Sequence, residues 1–224
     1  RAAGVGRPSY RTDVVITVRS TGEMAIDWDN WSAPLHQFSQ ASGLVVSAYD
    51  ANAVRQVGPL HSTRVAGMLA TSSLWRDDGP GTRFEQDLAA QVVDHGAAVS
   101  ARFSDLLCVC GMPLTRFGKT YGAVLYGWSF REFSSSLACD RIGRQVGLHG
   151  HVLWNEVRLE PPVSDARMGV MTALLRTLVD SADRHREALA EVNRVNRVRE
   201  QFLATVSHEM RTPLSALSLR LELM

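Results

Sequence analysis

A histidine and a carboxylate stand next to each other near the C-terminal end of the sequence. The segment from Phe202 to Leu214 reads FLATVSHEMRTPL, which places His208 beside Glu209 and Thr212 four residues further on. On a helix that turns about 100° per residue, one face is apolar and His208 points away from it. The apolar positions of that face are Phe202, Val206, Met210, Pro213, Leu217 and Leu221.

A histidine on the water side of a packed helix is free to meet another molecule. Glu209 can reach its ring, and Thr212 lies on the same face because residues four apart are neighbours on a helix. Pro213 removes a backbone donor and pushes against the carbonyl of Glu209, so we expect the helix to bend beside His208. The plainer alternative is a surface histidine on an ordinary amphipathic helix.

The segment resembles the phosphoacceptor box of sensor histidine kinases. That box consists of a phenylalanine, a short spacer and Ser-His-Glu-x-Arg-Thr-Pro-Leu, and each of these positions is matched from Phe202 to Leu214. The resemblance implies that His208 is phosphorylated and that Glu209 orients and activates its ring as general base. It also implies that Thr212 positions water when such a protein dephosphorylates its partner.

The resemblance implies a definite chemical step. A neutral imidazole nitrogen attacks the γ-phosphorus of ATP while the carboxylate holds the other ring N–H. ATP and Mg²⁺ would be bound by the protein's own ATP-binding catalytic domain, and a response-regulator aspartate would then receive the phosphoryl group. The 224 residues contain no glycine-rich phosphate loop. We therefore expect this chain to accept phosphate but not to take it from ATP unaided.

Composition excludes some classes of partner and leaves others open. The chain has a net charge of +1 and is 45% hydrophobic, so it gives no indication of a nucleic-acid partner. No apolar run approaches the roughly eighteen residues that a membrane span requires. We expect a cytoplasmic protein with reduced thiols, because three cysteines do not make a disulfide framework. The chain starts at Arg1 and stops within an amphipathic pattern, so we interpret it as a fragment with room for upstream membrane segments.

The apolar pattern predicts an α+β domain over residues 27–163, preceded by a lead, residues 1–26, that holds at most one strand. The predicted elements are a helix from Asp29 or Asn30 to Gly43, strands at 44–49 and 54–60, a helix capped by Ser62, a helix from Phe84 to Gly96, a hairpin of 104–113 with 121–130, and a helix from Leu137 to about Arg158. Helices would flank an antiparallel sheet.

The hairpin region resembles the GAF domain, a small-molecule sensor related to the PAS fold. The residues that carry this resemblance are LLCVCGMPLTRFGKTYGAVLYGW, from Leu106 to Trp128. A ligand-binding module of the PocR type fits FSQASGLVVSAYD, residues 38–50, nearly as well. Either resemblance implies a small-molecule ligand of unknown identity.

A heptad pattern follows Pro161-Pro162 and predicts a coiled-coil signalling helix over residues 164–199. Its positions are Met171, Leu175, Leu178, Ala182, His185, Leu189 and Val192. The apolar series then shifts to Val195, Val198 and Phe202. We expect this helix to form a parallel homodimer with a second copy, in which Asn196 meets its twin, and to continue into residues 200–224 as the first helix of a phosphotransfer domain. The alternative is a helix that only spaces two domains.

Five residues are candidates for the ligand pocket of the predicted sensor domain: Trp75, Cys108, Cys110, Tyr126 and Trp128. Aromatic residues at such spacing also fit an ordinary core. Cys108 and Cys110 lie on one face of a strand. A metal would need further ligands, for which Cys139, His149 and His151 are the nearby candidates, so we predict buried thiols and no metal.

Two function classes compete. The favoured interpretation is a sensor histidine kinase fragment that couples a signal to phosphorylation of His208. The alternative is a non-catalytic ligand-binding and dimerisation module of the GAF or PocR type. A downstream ATP-binding domain in the full gene product would decide between them.

Overall fold

The computed structural model describes residues 28–116 and 118–222, with side chains described as far as Ser207. The predicted lead, residues 1–26, lies outside the described residues. In chain order the elements are α1 (Asp29–Ser42), β1 (Val45–Asp50), β2 (Arg55–Leu60), α2 (Arg64–Thr71), α3 (Pro80–His95), β3 (Val99–Phe103), β4 (Leu107–Arg116), β5 (Lys119–Phe130), α4 (Ser136–Val146), α5 (Gly150–Val157) and α6 (Asp165–Glu222). The predicted α+β class is confirmed.

The five strands form one antiparallel sheet in the order β2-β1-β5-β4-β3. Side chains alternate between its two faces, and each face has its own apolar core. One core packs the sheet against α2, α3, α4 and α5, and the other packs it against α1 and the first part of α6. This three-layer arrangement is compatible with a GAF-like sensor domain.

The central hairpin is tighter than the sequence predicts. β4 runs to Arg116 and β5 starts at Lys119, and these two residues pair with each other. Most of the predicted loop, residues 114–120, therefore belongs to the strands. β3 was not predicted, because only its alternation of Val99, Ala101 and Phe103 with polar residues indicates a strand.

Two helix predictions are wrong in their details. The single closing helix from Leu137 to Arg158 is two helices, because Gly147 adopts a left-handed conformation (φ 75°) that ends α4. The residue that caps α2 is Thr63 and not Ser62: the Thr63 hydroxyl accepts a hydrogen bond from the Ala66 backbone N–H at 3.2 Å. The predicted end of the first helix at Gly43 is confirmed.

None of the helices within the described residues has both the length and the apolar character needed to cross a membrane. α6 is by far the longest of them, at 58 residues.

Candidate functional site

The histidine motif lies on α6. The helical backbone runs without interruption from Asp165 to Glu222, so His208, Glu209 and Thr212 are all on this helix, as predicted. Their side chains lie outside those described. The predicted outward direction of His208 and the predicted bend at Pro213 stay predictions.

An exposed apolar stripe leads along α6 toward the motif. Its members are between 50% and 65% exposed: Leu189, Val192, Val195, Val198 and Phe202. These are the late heptad positions and the shifted series of the sequence pattern. Charged and polar residues surround the stripe, and Glu191 pairs with Arg194 at 2.8 Å one turn apart. The stripe has no cover within the described part of the chain.

The first part of α6 has a different environment, and one prediction about it is wrong. The early heptad positions were expected to pair with a second copy. Instead, Leu175 is fully buried against the sheet, and Met171, Leu178 and Ala182 pack on the same core. The helix does not project from the domain after Pro162 but lies along the sheet, so the domain itself covers these positions.

Polar contacts join this part of α6 to the strands. The Tyr126 hydroxyl is 2.7 Å from the Thr172 hydroxyl, and the Tyr121 hydroxyl donates to the Asp183 carboxylate at 3.0 Å. Arg116 at the tip of β4 lies 3.4 Å from Glu187. Burial, and then the Asp183 charge, raise the pKa of Tyr121, so this phenol keeps its proton and its hydrogen bond. The sheet thus holds α6 as far as Glu187.

The predicted pocket residues do not form one pocket. Trp75 and Trp128 stack edge to face at 5.2 Å in the core beneath α2 to α5. Tyr126 and Cys110 lie on the opposite face of the sheet, toward α6. Cys108 shares the face of Cys110 because side chains two apart on a strand point the same way. The sheet therefore divides the five candidates into two groups.

A buried carboxylate that the sequence prediction missed lies beside Trp128. Glu85 on α3 is fully buried and is hydrogen-bonded by three donors from two strands. The Tyr49 hydroxyl donates to it at 2.6 Å, the Trp128 indole N–H at 2.7 Å and the Ser47 hydroxyl at 3.3 Å. The Arg55 guanidinium is 3.9 Å away. This polar cluster fixes α3 on the sheet.

Burial raises the pKa of Glu85, and the hydrogen bonds from Tyr49 and Trp128 oppose that shift. The sequence did contain a signal for this residue. Glu85 precedes Leu88, Ala89 and Val92 by three, four and seven positions, which places a carboxylate on the apolar face of its helix. A carboxylate at such a position needs buried hydrogen-bond donors.

A cavity of about 390 Å³ lies at the edge of the sheet, where α2 begins and the chain enters α6. Trp128 and Val45 line it on the sheet side, and Arg64, Glu160 and Arg167 bring charge to it. The Glu160 carboxylate accepts a hydrogen bond from the Val65 backbone N–H at 3.1 Å. Of the five predicted pocket residues, Trp128 is the one that contributes to this cavity.

Comparison with known proteins identifies one family. Residues 198–224 match the model of the His Kinase A (phospho-acceptor) domain. Comparison with curated proteins and with solved structures gave no match. The match covers the whole histidine motif and confirms the resemblance predicted from it. Residues 198–224 are similar to the phospho-acceptor domain of the His Kinase A family, which supports a sensor histidine kinase.

Proposed function

We propose that this chain is the sensor and phospho-acceptor portion of a sensor histidine kinase in a two-component pathway. The observation that carries the proposal is the family match at residues 198–224, which encloses the Ser-His-Glu-x-Arg-Thr-Pro-Leu pattern. In this proposal His208 receives the γ-phosphoryl group of ATP. Glu209 holds the ring N–H and keeps the attacking nitrogen unprotonated. Thr212 positions the water that later hydrolyses the phosphoryl group on the partner.

ATP and Mg²⁺ would come with an ATP-binding domain, and an aspartate on a response regulator would accept the phosphoryl group. Phosphoryl transfer depends mainly on positioning and on stabilising the charge of the transferring group. A histidine on a long continuous helix would suit that chemistry if it points outward as predicted, because it could then be presented in turn to two different domains.

The signal would pass from the sheet to His208 through α6. The sheet contacts this helix through buried Leu175 and Val179 and through the Tyr121–Asp183 hydrogen bond. The distance along the helix from Val179 to His208 is about 44 Å at a rise of about 1.5 Å per residue. Since α6 is continuous over this distance, a tilt or rotation at the sheet would be carried to the motif.

We propose the cavity of about 390 Å³ as the ligand site of the sensor domain, where the signal enters. Glu160 and Arg167 lie on either side of the point where the chain enters α6. A small molecule that contacts them would therefore act directly on the start of the helix. Its chemical identity stays open.

We further propose that a second copy covers the exposed stripe from Leu189 to Phe202. Five apolar side chains at least half exposed on one helix are an unfavourable surface for a monomer. Parallel pairing would align Asn196 with its twin, and a buried amide pair favours a dimer in register. The dimer seam would thus begin at Leu189, later than the sequence pattern suggested.

A phosphotransfer assay tests the proposed function. The chain is incubated with γ-labelled ATP, Mg²⁺ and a purified ATP-binding domain of a histidine kinase. We expect label on the chain that is stable in alkali and lost in acid, as a phosphorus–nitrogen bond requires. A folded chain that stays unlabelled with several such domains would favour the alternative, a non-catalytic ligand-binding and dimerisation module.

Variants of the motif separate the proposed roles. Glu209→Ala should slow phosphorylation by about 10²–10⁴-fold, the usual worth of general-base support. Thr212→Ala should leave phosphorylation unchanged and weaken dephosphorylation of the regulator. Equal losses in both directions for Thr212→Ala would indicate a packing defect and would contradict its role with water.

A further inference from the structure

Two cysteines lie side by side where β4 passes beneath the start of α6. Cys108 and Cys110 alternate with Val109, and Val109 faces the opposite core. Cys110 packs on the core that contains Met168 and Leu175 of α6. Cys108 is 6% exposed and Cys110 is half-buried, so the pair lies close beneath the surface.

The two sulfur atoms interact with each other. The interaction between the two thiol groups lowers the pKa of Cys108 and raises that of Cys110. Burial opposes the shift at Cys108, and the positive charges of Arg131 and Arg102 add to it. Cys108 is therefore the sulfur that favours the thiolate, while Cys110 keeps its proton.

Two further donors beside the pair lack a partner among the described residues. The Ser129 hydroxyl and the Arg131 Nη1 are both buried and have no hydrogen-bond acceptor within the described part of the chain. Ser129 lies directly opposite Cys108 in the β4–β5 ladder, so their side chains are neighbours on one face. The other terminal nitrogen of Arg131 pairs with Asp165 in the first turn of α6. Buried donors of this kind call for an acceptor.

We propose that Cys108 and Cys110 form a reversible thiol–disulfide site that hydroperoxides oxidise. Ser129 and Arg131 supply the hydrogen bonds that an anionic sulfur or an oxidised sulfur–oxygen group at Cys108 accepts. The inference is independent of the proposed kinase function, because it rests on the sheet and not on the histidine motif.

The chemistry has two steps. The Cys108 thiolate attacks one oxygen of the hydroperoxide; the O–O bond breaks, and the leaving oxygen takes up a proton. The product at Cys108 is a sulfenic acid. The Cys110 sulfur then attacks the Cys108 sulfur; the S–S bond forms, the S–O bond breaks, and hydroxide leaves with the Cys110 proton as water. With hydrogen peroxide, two thiols lose two electrons and two protons, and the peroxide becomes two molecules of water.

The strand geometry makes such a disulfide reversible. Residues two apart on a strand have Cα atoms about 6.6–6.8 Å apart, at the upper limit of what a disulfide spans. Closing the bond therefore has to shorten β4 locally, and a strained disulfide is readily reduced. The shortening would occur opposite Ser129 and Tyr126 on β5. The Tyr126 hydroxyl contacts Thr172 of α6, and Arg131, two residues after Ser129, pairs with Asp165 in its first turn.

A metal site is the less suitable interpretation of the same pair. Cys139, which the sequence suggested as a further ligand, belongs to the core on the other face of the sheet. Among the described residues, no three His, Cys, Asp or Glu side chains are grouped so that they could hold an ion.

Peptide mapping of the intact chain tests the proposal. Trypsin releases Cys108 and Cys110 together on residues 103–116 and Cys139 on residues 132–141. After brief exposure of the reduced chain to hydrogen peroxide, we expect the peptide 103–116 to lose about 2 Da, since two hydrogens leave when a disulfide forms, and to regain them with dithiothreitol. The Cys139 peptide is the internal control and should stay reduced.

Variants assign the two sulfurs. Cys110→Ser should stop the reaction at a sulfenic acid on Cys108 that dimedone traps, and Cys108→Ser should abolish both products. Hydrogen exchange of residues 165–175 should quicken in the oxidised wild-type chain.

The proposal is overturned if the peptide 103–116 stays reduced at peroxide levels that already oxidise Cys139, or if the disulfide joins two chains. Dimedone trapping on Cys110 in Cys108→Ser, at the rate found for Cys108 in Cys110→Ser, would also overturn it.

Discussion

At the scale of single residues, burial governs the chemistry of Glu85. Its carboxyl group has no contact with solvent and depends on Tyr49, Trp128 and Ser47 for hydrogen bonds. Removing water from a carboxylate disfavours the charged form, which is why its pKa is raised above the ordinary value of 4.5. The three donors and Arg55 recover part of the lost solvation but do not reverse the shift.

The first prediction concerns pH. Below pH 4.5 the Glu85 carboxyl is protonated in both the folded and the unfolded chain, and it contributes no pH dependence. Above that value the unfolded carboxyl ionises while the folded one keeps its proton, so the wild type loses stability relative to Glu85→Gln. The loss is about 1.4 kcal/mol for each pH unit of this interval. Urea unfolding at several pH values measures it; a wild type that gains stability over Glu85→Gln as pH rises would contradict the raised pKa.

The second prediction compares two tryptophans of the same core. The Trp128 indole N–H donates to Glu85 at 2.7 Å, whereas the Trp75 indole N–H has no partner among the described residues. Trp128→Phe removes a hydrogen bond to a buried carboxyl group and should lower the free energy of unfolding by about 1–3 kcal/mol more than Trp75→Phe. Equal losses in the two variants, measured by urea unfolding, would show that the hydrogen bond contributes nothing.

The family of the C-terminal segment could be predicted from sequence, because the residues from Phe202 to Leu214 resemble the phosphoacceptor box and the family model matches the same segment. The pocket residues could not. Trp75 and Trp128 were correctly expected to be large buried aromatics, but the sequence does not show that a sheet separates them from Tyr126 and Cys110. The alternation of side chains between the two faces of the sheet is interrupted in β5 near Gly127, where the pairing register with β4 shifts. The φ of 128° at Gly127 is available mainly to glycine.

At the scale of elements, α6 has two parts that differ in what they contact. Residues up to Glu187 pack on the sheet through apolar and polar contacts, and those beyond it extend away with an exposed stripe. The heptad pattern predicted that a second copy pairs with α6 from Met171 to Val192 and again from Phe202 onward, because a heptad records only that a helix has an apolar face. The pattern does not state whether a sheet or a second helix covers that face.

The third prediction separates the two parts of α6. Leu175→Ala should lower the free energy of unfolding by about 2–5 kcal/mol, as for other buried leucines. Leu174→Ala is the matched control, since Leu174 is 54% exposed, and its effect should lie within about 0.5 kcal/mol. A loss for Leu175→Ala that disappears at low protein concentration would mean that a partner chain, and not the sheet, covers this residue.

At the scale of the whole molecule, the fourth prediction is a parallel dimer joined along Leu189 to Phe202. Sedimentation should show a dimer at micromolar concentration, and Leu189→Ala should weaken it without changing the unfolding of the α+β domain. Asn196→Cys in a chain lacking its three natural cysteines should form a disulfide to its twin. A monomer at that concentration, or cross-links that require antiparallel chains, would defeat the proposed seam.

The α+β class and the antiparallel sheet were within reach of the sequence because strand alternation and glycine turns are local signals. The position of α6 on the sheet was not, because it depends on contacts between residues far apart in the chain. Tyr121 with Asp183 and Arg116 with Glu187 are pairs of this kind.

The central claim is that His208 is the residue that accepts phosphate. The most direct measurement is transfer of labelled phosphate from ATP to the wild-type chain, to His208→Ala and to His185→Ala, each with the same ATP-binding domain. His185 is the matched control, since it lies on α6 upstream of the motif. We predict full labelling of the wild type and of His185→Ala and none of His208→Ala. Label that survives in His208→Ala would contradict the account.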